Sequence, residues 1–270
     1  MKKYVLLSFL IIFITSCTFA QQRETRNVGT FTKIGFRVAG KLYIKQGSPQ
    51  KVEIEGDKDA IAKIETKVED NRLVIEKEEK WNDWSSDNEK ITVYVTVASL
   101  EGVNVSGSGD AIGQSKFSAT DFKMNVSGSG SLTIEIDAKG EIDADVSGSG
   151  EITLKGNCDS YKSSVSGSGG VDLNLTVAKK AKFGVSGSGE ITASGSADET
   201  EIKISGSGKV LAAEMTTNIS EVQISGSGDA EVNVKNEIDA SITGSGTVSY
   251  KGDPKKVNSN ASGSGKLRKL

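Results

Sequence analysis

Nine Gly-Ser-Gly triplets recur from Val103 onward, each preceded by an apolar residue and a Ser or Thr. They start at Gly107, Gly128, Gly148, Gly167, Gly187, Gly206, Gly226, Gly244 and Gly263, at intervals of 18 to 21 residues. A sustained period near 20 is the mark of a stacked solenoid, in which each repeat buries its apolar face only against its neighbours. Gly/Ser tracts also occur in flexible linkers, but a linker has no reason to hold apolar positions in fixed columns. Here the residue two before each triplet is Val105, Val126, Val146, Val165, Val185, Ile204, Ile224, Ile242 or Ala261. Two after it stand Ala111, Leu132, Ile152, Val171, Ile191, Val210, Ala230, Val248 and Leu267.

Alternation runs outward from each triplet. Phe122, Met124 and Val126 alternate with Lys123 and Asn125, and Leu132, Ile134 and Ile136 with Thr133, Glu135 and Asp137. Period-two patterning means strands with one buried face, so each repeat reads as strand, bend, strand and polar return. Stacking in register at about 4.8 Å extends nine coils over roughly 40 Å. The bend demands glycine for a positive φ or for lack of room beside the next coil. The Ser before each triplet is expected to form a hydroxyl ladder that satisfies bend backbone groups and neighbouring hydroxyls. Parallel crossovers are right-handed almost without exception, and left-handed solenoids keep a stricter 18-residue coil. The expected fold is therefore all-β, a single-stranded right-handed parallel β-helix with about 20 residues per coil and an atypical N-terminal capping segment.

The expected organisation is a leader over residues 1–20, a β-rich cap with the first coils over 21–104, and the repeat helix over 105–270, the last two continuous as one domain. Lys2 and Lys3 precede the apolar run Val5 to Ile14, a signal-peptide pattern too short to span a bilayer. Two cleavage readings stand side by side: Ile14-Thr15-Ser16-Cys17 resembles a lipobox that leaves Cys17 lipidated, and Thr18-Phe19-Ala20 before Gln21 resembles an ordinary cleavage site. The expected location is exported, in the cell envelope, with membrane anchoring only through a lipidated Cys17. Cys158 is the other thiol, so no intramolecular disulfide follows. Loss of Lys2 and Lys3 with the leader takes the net charge from −3 to −5, which disfavours nucleic acid.

Within the cap, 31–38, 41–44, 51–54, 72–75 and 91–95 read as strands, and Ala60, Ile61, Ile64 and Val68 have helical spacing. Val38-Ala39-Gly40 reads as a degraded Val-Ser-Gly bend that starts the first coil.

The runs Phe31-Thr32-Lys33-Ile34 through Gly47, Lys51-Val52-Glu53-Ile54-Glu55-Gly56, and Ile91 to Leu100 feeding into Val105-Ser106-Gly107-Ser108-Gly109 together resemble the bacterial "putative auto-transporter adhesin, head GIN domain" family, over about 28–250. That resemblance implies a right-handed β-helix in an envelope or surface protein, and brings no catalytic residues. No membrane β-barrel pattern follows the repeats, so the resemblance is not to a complete autotransporter.

Histidine is absent, which removes Ser-His-Asp and Cys-His arrangements and most zinc sites. The triplets are neither dinucleotide fingerprints nor calcium nonapeptides; Asp follows a triplet only at Asp110 and Asp229. No catalytic residue, cofactor or metal is expected. Glu135, Asp137, Glu141, Asp143 and Asp145 are the one cluster a polysaccharide-acting β-helix enzyme could use, but Lys123, Asp143 and Lys162, like Lys182 and Glu201, fall in one outward column and read as surface charge pairs. Thr133, Thr153 and Thr192 share a column that Asp172, Leu211 and Glu231 interrupt, unlike an ice-binding face. Trp81 and Trp84, in a polar stretch, are the candidate ligand contacts; the plainer reading is that they fold down to cap the solenoid. The expected function is a non-enzymatic, exported adhesin or surface-binding module contacting glycans, polymers or protein partners; a purely structural envelope component and a polysaccharide enzyme are the alternatives.

Overall fold

The computed structural model describes residues 22–78 and 91–270; Cys17, the leader, Trp81 and Trp84 lie outside them. The chain runs β1 (Gln22–Arg26), β2 (Lys33–Arg37), β3 (Lys41–Gln46), β4 (Lys51–Gly56), α1 (Lys58–Ala62), β5 (Ile64–Glu69), β6 (Arg72–Lys77), β7 (Thr92–Val97), β8 (Gly102–Gly107) and β9 (Asp110–Ala119). Thereafter each triplet separates two strands, as in Phe122–Gly128 with Ser131–Ala138 and Glu141–Gly148 with Glu151–Cys158.

Strands that lead into a triplet pair with one another in parallel, and those that leave it do the same. Every first glycine is paired in register with the next, from Gly107 and Gly128 through to Gly263. On the leaving side Ala111, Leu132, Ile152, Val171 and Ile191 are successive partners. The chain is thus a parallel β-helix wound from one polypeptide, with two ladders back to back, as the period predicts. We call them the entering and leaving ladders.

Their inward side chains meet in a narrow interior. Ile142, Ala144 and Val146 of one strand and Ile152 and Leu154 of its partner are all buried, and one apolar cluster runs from Phe31 to Val248. Each fully buried Val, Leu or Ile contributes about 1.5–3 kcal/mol. Cys158 lies inside this core, where burial pushes its thiol up to about 12 and leaves it unreactive.

The bend has a double requirement for glycine. The first glycine of every triplet has φ between 91° and 127°, and a Cβ on Gly187 would stand 2.7 Å from the carbonyl oxygen of Gly167. The middle Ser donates its backbone N–H to the first-glycine carbonyl one coil earlier, Ser129 to Gly107 at 2.8 Å and Ser188 to Gly167 at 2.9 Å. The bends thereby satisfy one another through the backbone.

The N-terminal region departs from this pattern in order as well as in sequence. β2 and β3 form a coil, but its bend residues Val38-Ala39-Gly40 align with Gly107-Ser108-Gly109, because Phe36 pairs with Val105 and Lys41 with Asp110. The expected match to Val-Ser-Gly is therefore two residues out: buried Phe36 takes the place of the valine, and Gly40 takes that of the last glycine, where a Cβ would lie 2.4 Å from the Ile91 carbonyl oxygen. β6 and β7 make a further coil on the far side of β2 and β3, so the coil met first in the chain lies second in space. Antiparallel strands then close this end, β5 on β6, and β4 on β7 with β1 beyond.

The expected helix is shorter than its spacing suggests. Ala60 and Ile61 are buried in α1, but Ile64 and Val68 belong to β5. Asp70 and Asn71, both in the left-handed region, make a two-residue hairpin to β6, and pairing with β6 outweighs helical spacing. At the other end Lys256–Gly263 and Lys266–Lys269 pair on one side only, and inward-facing Val257 is 44% exposed. Lys256 bonds Glu237 and Lys269 bonds Asp253, which places charge along that edge.

Candidate functional site: the outer face of the entering ladder

The expected cluster of carboxylates is divided by the fold. Glu135 and Asp137 stand on the leaving ladder, where Lys116 lies 3.6 Å and 2.8 Å from them. Glu141, Asp143 and Asp145 stand on the entering ladder, facing Lys123, which pairs with Asp143 at 3.0 Å. Burial beside Asp143 raises the Asp145 carboxyl. Among the described residues no group of His, Cys, Asp and Glu is placed to hold a metal ion. The column Lys123, Asp143, Lys162, Lys182, Glu201 is present in register, with Lys182 and Glu201 at 3.8 Å. Thr133, Thr153, Asp172, Thr192, Leu211 and Glu231 also form one column, interrupted as expected.

The residues that bracket the tryptophan segment can be placed. Lys77 and Ile91 stand beside Arg37, Val38 and Ser106–Ser108 around a cavity of about 270 Å³ at the bend edge. Arg23 stacks over Tyr94 at 4.2 Å and Tyr94 on Tyr43 at 5.5 Å, so both faces of the Tyr94 ring are occupied.

The bend edge itself carries two rows of hydroxyls, one from the residue before each triplet and one from its middle Ser. Among the described residues of these rows only Ser106 makes a side-chain hydrogen bond, donated to Asn104 at 3.4 Å. The expected bonding of this ladder to bend backbone groups is thus corrected. Stacked bends already pair coil to coil, and the hydroxyls of Ser127, Ser147, Ser166, Ser186, Ser205 and Ser225 stand exposed to solvent.

Where five of these coils meet, the entering ladder carries a trough of about 450 Å³. Its floor is the backbone of Val185, Ile204 and Ile224, whose side chains point into the core. One bank is Ser186, Ser205, Ser225 and Thr243; the other is Lys203 and Gln223, with Gly184 leaving a gap between Ser164 and Lys203. Both long side chains turn their heads away, Lys203 to Glu201 at 2.6 Å and Gln223 to Glu221 at 2.8 Å. Hydrogen bonds from Lys203 and Lys180 hold the Glu201 carboxyl down at about 2, so this network stays ionised at neutral pH. The trough is therefore lined by hydroxyls on one bank, and on the other the Lys203 charge is paired with Glu201. Sequence reading found the serine column but missed the trough, because Gly184 is informative only once its register with Ser164 and Lys203 is known.

This architecture and its recurring triplet edge meet a family model for "putative auto-transporter adhesin, head GIN domain", which matches residues 30–191 and 164–254. The chain belongs to that family. Among solved structures it is similar to a putative adhesin from Parabacteroides merdae (TM-score 0.71, 21% identity, covering 93% of this chain and 96% of that one). A putative adhesin from Parabacteroides distasonis has a TM-score of 0.70 at 19% identity, covering 94% and 98%. A putative lipid binding protein from the same species has 0.67 at 22%, covering 93% and 96%. At these identities the likeness establishes the fold of this family member. No curated protein matches the chain.

Proposed function

We propose that this family member is an exported, non-enzymatic surface-binding module of the adhesin type, contacting a glycan, surface polymer or protein partner through the entering ladder. The observation that carries the reading is the trough at Ser186, Ser205, Ser225 and Thr243, whose exposed hydroxyls have no hydrogen-bond partner among the described residues. An extended polar polymer laid across the coils meets donors and acceptors repeated at about 4.8 Å on a scaffold already ordered, so little entropy is lost on the protein side. The leader pattern and the family support a place in the cell envelope, with Cys17 as anchor if the lipobox is used.

The test is antibody labelling of the repeat region on intact cells and on cells with a permeabilised outer membrane. Signal on intact cells is the expected result. Signal only after permeabilisation sinks the adhesin reading and leaves a periplasmic structural component. Trp81 and Trp84 enter as proposed auxiliary contacts, tested by fluorescence: blue-shifted, quencher-protected emission removes them from the binding surface.

A further inference from the structure

The N-terminal end of the entering ladder carries a second feature, of different chemistry. Its strands lie in the order β6, β2, β8 and Phe122–Gly128, and their outward residues form a grid. One row reads Arg72, Lys33, Gly102, Lys123 and the next reads Val74, Gly35, Asn104, Asn125. The two glycines adjoin diagonally, and a hollow of about 450 Å³ opens over Gly102 among Lys33, Arg72, Asn104 and Asn125.

Gly102 is required by the backbone, since a Cβ there would lie 2.6 Å from the Lys123 carbonyl oxygen. Gly35 is not. Its nearest neighbour would be Arg72 Cδ at 3.5 Å, an ordinary contact, and its φ lies outside the left-handed range. Glycine within a strand costs stability; here it lets the Arg72 stem lie across buried Gly35 beside the hollow that Arg72 lines.

The charges point the same way. Lys33 and Arg72 are register partners on adjacent strands, and like charges so placed destabilise a sheet. Of the lysines on the triplet strands of this ladder, Lys123, Lys180, Lys182, Lys203 and Lys256 have carboxylate partners; Lys162 has none among the described residues, but its register neighbour Lys182 is paired. Among the described residues neither Lys33 nor Arg72 has an ion pair. Glu101, the carboxylate on the rim, instead accepts a hydrogen bond from Thr32 at 2.9 Å. Two uncompensated cations therefore flank a gap lined by amides, on a chain whose net charge is −3.

We propose that this hollow binds a carboxylate-bearing sugar unit of an acidic polysaccharide. Lys33 and Arg72 take the carboxylate, with Arg72 able to meet it through two parallel N–H groups. The amides of Asn104 and Asn125 and the hydroxyl of Ser127 take ring hydroxyls, and the missing side chain of Gly35 seats the Arg72 stem beside the hollow. An acyl chain finds no purchase, because the side chains of Ile34 and Val103 at this site are buried in the core. The site is separate from the trough and adds charge selectivity to the surface-binding reading.

The test is calorimetric titration of the full chain with hexagalacturonate at low salt, against its methyl ester and against phosphatidylglycerol vesicles. The variants are the double change Lys33→Gln with Arg72→Gln, Gly35→Gln, which displaces the Arg72 stem from its seat, and Lys162→Gln as a cation elsewhere on the same ladder. Wild type binds hexagalacturonate, and the ester is weaker by about tenfold or more, ~1.4 kcal/mol. The double variant and Gly35→Gln each lose about tenfold or more, while Lys162→Gln stays within about twofold. The double variant melts no lower than wild type, since a like-charge contact has been removed. Absence of hexagalacturonate binding, equal binding of the ester, or undiminished binding by the double variant overturns the proposal. Vesicle binding that needs Lys33 and Arg72, with none to the saccharide, assigns the hollow to a lipid headgroup and also overturns it. If Gly35→Gln fails to fold, the double variant and the ester still decide.

Discussion

The two ends of this solenoid solve the same problem by opposite means. At the N-terminal end large side chains such as Phe36, Leu73 and Ile75 fill the interior, and antiparallel β5 and β1 with β4 lie over the last coil. At the C-terminal end nothing among the described residues lies beyond Lys256–Gly263 and Lys266–Lys269, and the inward positions have shrunk to Val257, Ser259 and Ala261. Between the ends the interior is as well filled, by Phe117, Phe122, Tyr161 and Phe183, and the repeats add the glycine bends. The lesson is that side-chain volume fills the closed end and the middle alike, the glycine bends are an added constraint of the middle, and the open end has small, exposed inward residues.

That contrast can be broken at graded strength. Phe36→Ala, in the closed end, has the largest expected effect, about 3–5 kcal/mol by denaturant unfolding. Gly187→Ala, in the middle, adds a Cβ at positive φ against the Gly167 carbonyl and costs roughly 2–3 kcal/mol. Gly107→Ala sharpens the point. It shares the positive φ but has no atom within 4 Å of the new Cβ, because Val38 rather than a triplet glycine is its neighbour, so the loss is about 1 kcal/mol. Val257→Ala, at the open end, changes stability by no more than about 0.5 kcal/mol.

Acid gives the smallest effect. Glu201 is held below its ordinary value by Lys203 and Lys180, so its contribution is fully present above about 4.5 and is lost as pH falls toward about 2. Melting temperatures of Glu201→Gln and wild type should converge across that window and separate slightly above it. A gap that widens as pH falls would contradict the assignment.

Much of this was legible in the sequence. The triplet interval and the two apolar columns define the coil, its ladders and its buried face, because in a solenoid the nearest spatial neighbour lies a fixed number of residues away. The cap resisted reading for the converse reason. β1 is short and polar, β5 carries helical spacing, and the placement of β6 and β7 outside β2 and β3 depends on pairings that no period encodes. The candidate surfaces were half visible: the serine rows are plain in the sequence, but Gly35 and Gly184 gain meaning only from the side chains across the strand. Trp81 and Trp84 remain a sequence expectation outside the described residues.

The coil of β2 and β3 is flanked on one side by β6 and β7 and on the other by β8 and β9. A polypeptide emerging from its N-terminus thus completes a three-layer seed by about Ala119, before the second triplet exists. Every later turn can then be added to a finished template, one layer at a time and in one direction. Insertion or loss of a whole turn would alter only the length of the rod, so reach can change in nearly constant steps while the seed stays the same.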